Sequence, residues 1–249
     1  MIRRWMQPIT RERKTEVIEE LDQASSPGFD YFLLVMLSCS IATLGLITDS
    51  SAVIIGAMLV APLMSPILGL SIATVVAEEK LFRRALLALG AGILLALILS
   101  TLLGWIARLL PFDVLVNLPG EVLSRTHPTP FDLGIALAGG AAAAYALAQP
   151  RLSAALPGVA IATALMPPLC TAGIGLATNN WEVTLGALLL FITNLAAISF
   201  AGILVFVALG FKPRRRSAQW HHIPRSLVVS AILVLIITVP LVLVTMKVV

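Results

Sequence analysis

Seven long apolar segments follow one another along the 249-residue chain, separated by short polar stretches. They cover about 31–48, 51–77, 85–107, 132–148, 152–178, 183–211 and 226–246, and none has an ionisable side chain in its middle. About 20 apolar residues are enough for a helix to cross a bilayer. The pattern therefore predicts an all-α polytopic membrane protein with seven spans, in which a polar N-terminal segment (residues 1–30) precedes one transmembrane domain (residues 31–249).

Two of these segments contain the same eleven-residue pattern. Residues 56–66 read GAMLVAPLMSP and residues 158–168 read GVAIATALMPP, so that Gly, Leu-Met and the final Pro recur 102 positions apart. A proline inside a helix removes a backbone hydrogen bond and clashes with the preceding turn. We therefore expect spans 2 and 5 to be broken, with new helices starting near Ser65-Pro66 and Pro167-Pro168. The length of these two spans also favours a break, because about 27 residues of straight helix would extend ~40 Å, whereas the hydrocarbon core of a bilayer is ~30 Å thick.

The basic residues predict the orientation of the spans. If the N-terminus lies inside, the inner connecting segments hold 14 of the 17 Lys and Arg residues and the outer ones hold 3. Such a bias predicts a multi-pass protein with a cytoplasmic N-terminus and an external C-terminus. Span 2 then runs inward and span 5 outward. Residues 31–107 and 132–211 are thus predicted to form a 3+3 inverted repeat, an architecture found in secondary transporters, with residues 226–246 as an extra helix.

Composition narrows the class of protein further. The chain is 59% apolar and 12% charged, which excludes an ordinary soluble domain. Its net charge of +4 does not indicate nucleic acid as a partner, because the basic residues lie at the ends of the apolar segments. The expected partners are membrane lipids and a small solute or ion. A run of small residues at 139–144 would allow close helix packing, either inside the bundle or in a homo-oligomer.

The sequence offers no group of residues suited to catalysis. There is no nucleophile–base pair and no nucleotide-binding loop, so we expect neither an enzyme nor a cofactor. Cys39 and Cys170 lack the His neighbours or paired spacing of a metal site, and we expect two small buried residues without a disulfide. A carboxylate or His within the spans is also missing, which argues against simple proton coupling.

The two predicted breaks form the candidate binding site. A helix that starts in an apolar setting presents free N–H groups and partial positive charge, which suit an anion. The predicted substrate-binding residues are Gly56, Met64, Ser65, Pro66, Gly158, Met166, Pro167, Pro168, Thr171 and Asn194, and Thr163, Cys170 and Thr193 could add polar lining. The alternative is that these prolines are ordinary kinks that only shape the bundle.

Three polar features lie outside the apolar segments. Val17, Ile18 and Leu21 share one helical face, which predicts a short amphipathic helix on the membrane surface; the alternative is a cytosolic leader. Asp49, with its neighbouring serines, is predicted to cap span 2, and an ion-binding role is the alternative. The arginine run at 214–216 is expected to anchor the topology or to bind anionic lipid.

Two stretches resemble a known family. They are residues 41–66, which include Ile41–Leu46, Asp49-Ser50 and Ile55–Pro66, and the second signature Ala164–Pro168. Both are similar to the domain-of-unknown-function 389 family, a set of prokaryotic inner-membrane proteins, and the resemblance covers about residues 29–211. It implies an inner-membrane location and supplies no substrate.

These observations together predict a transporter or facilitator of a small anionic solute, with a midplane site at two broken helices. An ion channel is one alternative. A non-transporting membrane scaffold or lipid-binding protein is the other, and it predicts a dry, packed midplane.

Overall fold

The computed structural model describes residues 9–110, 115, 117–149, 152 and 165–212. Over these residues the regular structure is helical, without a strand, and consists of α1 Arg11–Ala24, α2 Phe29–Ile47, α3 Ser51–Val60, α4 Met64–Val76, α5 Glu79–Leu109, α6 Gly120–Leu123, α7 Pro130–Ala148, α8 Met166–Ala177 and α9 Trp181–Ala208. Helices α2, α5, α7 and α9 are each long and apolar enough to cross a membrane, and α3 with α4 forms a fifth candidate. The all-α, membrane-type architecture is confirmed. The predicted span 226–246 and the first half of span 5 lie outside the described residues.

Helices α2, α5 and α8 run parallel to one another. The Tyr31 hydroxyl donates to Ala88 O at 2.8 Å, and eight residues further along both helices Cys39 Sγ donates to Ala96 O at 3.3 Å. On the other side of α5, Gly173 of α8 lies against Ser100, and Arg108 donates to Ala177 O at 2.6 Å. The C-terminal ends of these three helices therefore lie together. Helix α6 lies there too, because it packs on α2, and we call this the α6 end of the bundle.

The C-terminal ends of α4, α7 and α9 lie at the opposite end, beside α1. Helix α1 contacts both α4 and α7. Its Arg13 donates to Leu147 O at 2.9 Å, and its Lys14 donates to Gly210 O at 2.7 Å, just beyond α9. Val17 and Leu21 are buried in the same apolar cluster as Ile72. We call this the α1 end.

Local sequence explains how the helices start and stop. Thr129 and Asp132 form a reciprocal capping box at the start of α7, and Pro130 occupies the first helical position, where its missing N–H costs nothing. Two turns are alike although they lie far apart in the chain. Ala77 comes directly after α4, and Asn179 lies two residues after the end of α8. Both have φ 56°, the left-handed conformation that reverses the chain after a helix.

The outer surface of the bundle is apolar. Helix α5 exposes a row of large side chains, among them Leu87 at 66%, Leu94 at 60% and Ile98 at 58%. Its opposite side, with Ala88 and Ala96, is fully buried in the main apolar cluster. An apolar strip of this length is far larger than soluble proteins expose, and it suits contact with lipid.

Candidate functional site

The first eleven-residue pattern contains a break between two helices. Helix α3 ends at Val60 and α4 begins at Met64, at an angle of 48°. Ala61 is extended (φ −65°, ψ 120°), so the helical hydrogen bonding stops one residue before Pro62. We call residues 61–63 the first break. The new helix starts at Met64, one residue before the Ser65-Pro66 start expected from the sequence.

The first break is linked to the N-terminal segment. The Ser25 hydroxyl donates to Ser65 O at 3.2 Å, and the Ser25 side chain fills the space beside Gly69 in the next turn. Ser25 is fully buried. The N-cap residue of α4, Leu63, has no polar side chain, and no side chain among the described residues accepts a hydrogen bond from Met64 N or Ser65 N in the first turn.

The second pattern ends in a helix that begins inside the core. Helix α8 starts at Met166, and Pro167 and Pro168 occupy its second and third positions. Proline has no N–H, so in the first turn of α8 only Leu165 and Met166 have backbone donors. We call residues 165–168 the second helix start. Gly158 and Thr163 lie outside the described residues.

The predicted site residues differ in burial. Met166, Pro167 and Pro168 are all buried, and so is Pro66 in the first pattern. Met64 and Ser65 are half-buried. Gly56 lies on the exposed face of α3, and none of the described residues stands within 4 Å of the position where a side chain would begin. Leu63 and Leu165, which immediately precede the two helix starts, belong to one apolar cluster.

Two buried polar side-chain atoms, one in α8 and one in α9, lack partners among the described residues. Thr171 is fully buried and Asn194 is 5% exposed, yet among the residues that the structure describes none makes a hydrogen bond with Thr171 Oγ1 or Asn194 Oδ1. Other buried hydroxyls bond to the carbonyl one turn earlier, as Thr193 does to Leu189 O at 2.8 Å. An unsatisfied buried polar group is uncommon and calls for an explanation, and a bound ligand is one.

The two cysteines lie side by side, although nothing in their sequence spacing indicates a contact. Cys39 Sγ of α2 and Cys170 Sγ of α8 are 3.6 Å apart. Both are buried free thiols, as the sequence predicts. Their contact joins helices distant in the chain, so no spacing rule could have revealed it. It places α2 directly against α8, one turn beyond the second helix start.

Asp49 acts differently from the prediction. The N-cap of α3 is Ser50, and it makes no side-chain capping bond. Asp49 has φ 53° at the end of α2, and its Oδ1 accepts a hydrogen bond from Glu121 N at 2.7 Å. The predicted capping of span 2 is therefore wrong, because the left-handed turn directs Asp49 toward α6 instead.

Glu121 is held by groups from two parts of the chain. Its carboxylate accepts hydrogen bonds from the Ser51 hydroxyl and from Arg125, the latter at 2.6 Å. These contacts lower the pKa of Glu121, the Ser51 hydroxyl contributing most and Arg125 next, against the opposing effect of burial. The interaction joins α6 to the start of α3.

Fold and surface define a helical protein of membrane type with a break inside its core. The chain belongs to the family described as Domain of unknown function (DUF389), whose profile matches residues 58–200. An uncharacterized protein of Methanocaldococcus jannaschii is 33% identical over 217 residues, which are 84% of this chain and 66% of that protein. The chain thus spans just under two thirds of that relative's length. No solved structure matches it.

Proposed function

We propose that this protein carries a small anionic solute across the cell's inner membrane, using a site at the first break and the second helix start. One observation carries the proposal. Helix α8 begins inside the core, and further along the same helix the buried Thr171 Oγ1 has no hydrogen-bond partner among the described residues. In lipid, backbone and side-chain groups of this kind are tolerated where they line a site or a wet cavity.

The proposed site lies between two units of an inverted repeat. Reciprocal contacts support the repeat: Ser71 of α4 lies against Gly202 of α9, and Gly173 of α8 lies against Ser100 of α5. Gly173 comes 102 positions after Ser71, and Gly202 comes 102 positions after Ser100. Residues related by a two-fold axis make crossed contacts of this type. The first residues of α5 and α9, Glu79 and Trp181, are also 102 positions apart.

The directions of the helices support the inversion. In the first unit, α2 and α5 end at the α6 end of the bundle, whereas in the second unit α7 and α9 end at the α1 end. Helix α4 then runs from the core toward the α1 end, and α8 runs from the core toward the α6 end. Helix α1 directly precedes the first span. If the N-terminus is cytoplasmic, as the basic residues predict, the α1 end is therefore cytoplasmic.

The chemistry of the two helix starts favours an anion. Each helix N-terminus carries roughly half a positive elementary charge, and the two starts would approach from opposite sides. The first supplies backbone N–H donors from Met64 and Ser65, and the second adds the Thr171 hydroxyl, whereas Asn194 Oδ1, which has no partner among the described residues, is an acceptor and does not contribute to binding an anion. Hydrogen-bond donors and partial charges without a fixed cation would bind a small anion weakly enough to release it.

Anion flux into liposomes that contain the purified protein tests the proposal. The probes are chloride, nitrate, phosphate and acetate, each against empty liposomes. We expect flux of at least one, and a loss of roughly tenfold or more in Thr171→Val, because one charge-assisted hydrogen bond is worth about that factor. Thr193→Val is the matched control, since its hydroxyl already bonds to Leu189 O. Absent flux for all four, or equal flux in all variants, rejects the proposal.

The second candidate is a non-transporting scaffold, favoured by the packing of Leu63, Leu165 and Met166 in one apolar cluster. It predicts no flux and full tolerance of Ser65→Ala. An ion channel would conduct without saturating as the anion concentration rises, whereas a carrier would saturate.

A further inference from the structure

Each unit of the proposed repeat is preceded by a short helical segment that crosses to the other unit. The α1 segment, residues 11–25, precedes α2. The α6 segment, residues 117–129, precedes α7. They occupy corresponding places in the chain, since Leu123 in α6 comes 102 positions after Leu21 in α1. The two segments lie at opposite ends of the bundle.

The α1 segment joins the C-terminal helices to the N-terminal ones at the α1 end. Toward the second unit, Arg13 donates to Leu147 O at 2.9 Å and Lys14 to Gly210 O at 2.7 Å. These carbonyls lie at the ends of α7 and α9, where helix dipoles favour a cation. Toward its own unit, Asp22 pairs with Arg84 of α5 at 2.6 Å. The buried Ser25 completes the link through Ser65 O at the start of α4.

The α6 segment makes the corresponding link at the α6 end. Toward the first unit, Glu121 N donates to Asp49 Oδ1 at 2.7 Å, and the Glu121 carboxylate accepts from the Ser51 hydroxyl. Toward its own unit, the Thr126 carbonyl packs against Gly186 of α9. Val122 is fully buried between these contacts. In this structure, therefore, each segment contacts both units.

We propose that the α1 and α6 segments are paired gates, one at each end, and that each must release the opposite unit before its end of the bundle can open. The inference rests on the proposed function, in which two inverted units move against each other. A segment that bonds to both units resists that motion at its own end only. Because the structure repeats the device at both ends, opening can alternate between them.

The α1 gate has a direct connection to the proposed site. Ser25 bonds to the first turn of α4, whose free N–H groups are proposed to hold the anion. Release of the α1 segment therefore removes a contact from the turn that binds the ligand. Opening of the α1 end and release of the ligand are coupled through this one hydroxyl.

The test uses the two native cysteines as reporters of opening. Cys39 of α2 and Cys170 of α8 are both buried, so we expect a maleimide to reach them only when one end of the bundle opens. The full-length protein is placed in vesicles of one orientation, without any test anion, and a membrane-impermeant maleimide is added on one side at a time. Labelling of each cysteine is followed by mass spectrometry. This readout does not require flux.

We expect Arg13→Gln with Lys14→Gln to raise labelling roughly tenfold or more from the α1 side alone, because two charge-assisted hydrogen bonds are lost. Asp49→Ala should raise labelling from the α6 side alone. Ser25→Ala, which removes one hydroxyl and preserves the charges, should give a smaller rise from the α1 side. Arg11→Gln is the matched control, since Arg11 is an exposed cation of α1.

Labelling equal to that of Arg11→Gln in all three variants would overturn the gates. So would a rise from both sides in any variant with native circular dichroism, because it would show that the ends do not open separately. Side-specific labelling without flux of any anion would uphold the gates and reject the proposed substrate.

Discussion

The two copies of the eleven-residue pattern share Gly, Leu-Met and the final Pro but differ in the groups that surround these residues. At the first break, the chain is half-buried at Met64 and Ser65, and the Ser65 carbonyl accepts a hydrogen bond from Ser25. At the second helix start, Met166, Pro167 and Pro168 are all buried. Two prolines remove N–H donors there, and Thr171 nearby has no partner among the described residues.

This difference shows that two copies of one sequence pattern need not present the same polar side chains to a ligand. Thr171 corresponds to Gly69, 102 positions earlier, and the space beside Gly69 is filled by Ser25. In the first copy, therefore, the Ser25 side chain of the α1 segment occupies the space beside Gly69 and bonds to the Ser65 carbonyl. The second leaves a hydroxyl unsatisfied, and side-chain recognition should therefore be concentrated at the second copy.

The largest expected effect concerns the crossed contacts between the two units. A Cβ on Gly173 would overlap Ser100 and lie 2.9 Å from the Thr101 backbone nitrogen, whereas a Cβ on Gly202 would meet the Ser71 hydroxyl at 3.0 Å. We expect Gly173→Ala to destabilise the protein by about 3 kcal/mol and Gly202→Ala by about 1 kcal/mol, the range for overpacking. Thermal unfolding in detergent measures both.

A swap sharpens the same test. Gly173→Ser combined with Ser100→Gly copies the Ser71–Gly202 arrangement into the other contact. If the two contacts are related by the proposed repeat, the double variant should recover at least half of the stability lost in Gly173→Ser alone. No recovery would count against equivalent packing in the two units.

The helix starts could be predicted from sequence because the effect of proline is local. Pro62 stops α3, and Pro167 and Pro168 fit only the first turn of α8. Hydropathy was less informative about helix length. Helix α5 begins at Glu79, before the predicted apolar segment, and includes Lys80 and Arg84, because charged residues at the membrane surface still form helical hydrogen bonds.

Contacts between distant helices could not be predicted. The Cys39–Cys170 pair and the Ser25–Ser65 bond depend on how α2, α4 and α8 pack, and a single sequence contains no signal for that. The prediction that Asp49 caps span 2 failed for a related reason. Asp49 and its neighbouring serines are typical of a helix cap, but the left-handed backbone of Asp49 turns its carboxylate toward Glu121.

A smaller effect is expected from removing the unsatisfied hydroxyl. Thr171→Val keeps the shape of the side chain and removes a buried polar group that costs about 1–3 kcal/mol when unpaired. We expect the ligand-free protein to become more stable by about 1 kcal/mol, while flux falls. In Thr193→Val stability should fall instead, since a satisfied hydroxyl is lost. Thermal unfolding without anion compares them, and a less stable Thr171→Val protein would mean that the hydroxyl has a structural partner.

The smallest effect is a dependence of stability on pH at the α6 segment. Hydrogen bonds from Ser51 and Arg125 lower the pKa of Glu121 in the folded protein. The folded pKa lies below the unfolded one, so this stabilisation is complete above the ordinary glutamate pKa of about 4.3 and is lost as the pH falls through the folded pKa.

The groups that face Glu121 set the control for this measurement. Arg125 donates to the Glu121 carboxylate, and the neighbouring Asp49 accepts from the Glu121 backbone rather than from its side chain. Glu121→Gln should therefore reduce stability at pH 7 by about 1 kcal/mol or less, and should flatten the part of the acid dependence that belongs to this residue. Thermal unfolding between pH 7 and pH 3 compares the two proteins. Parallel curves would show that Glu121 is not stabilised as a carboxylate, and the link from α6 to the start of α3 would then rest on the Asp49 contact alone.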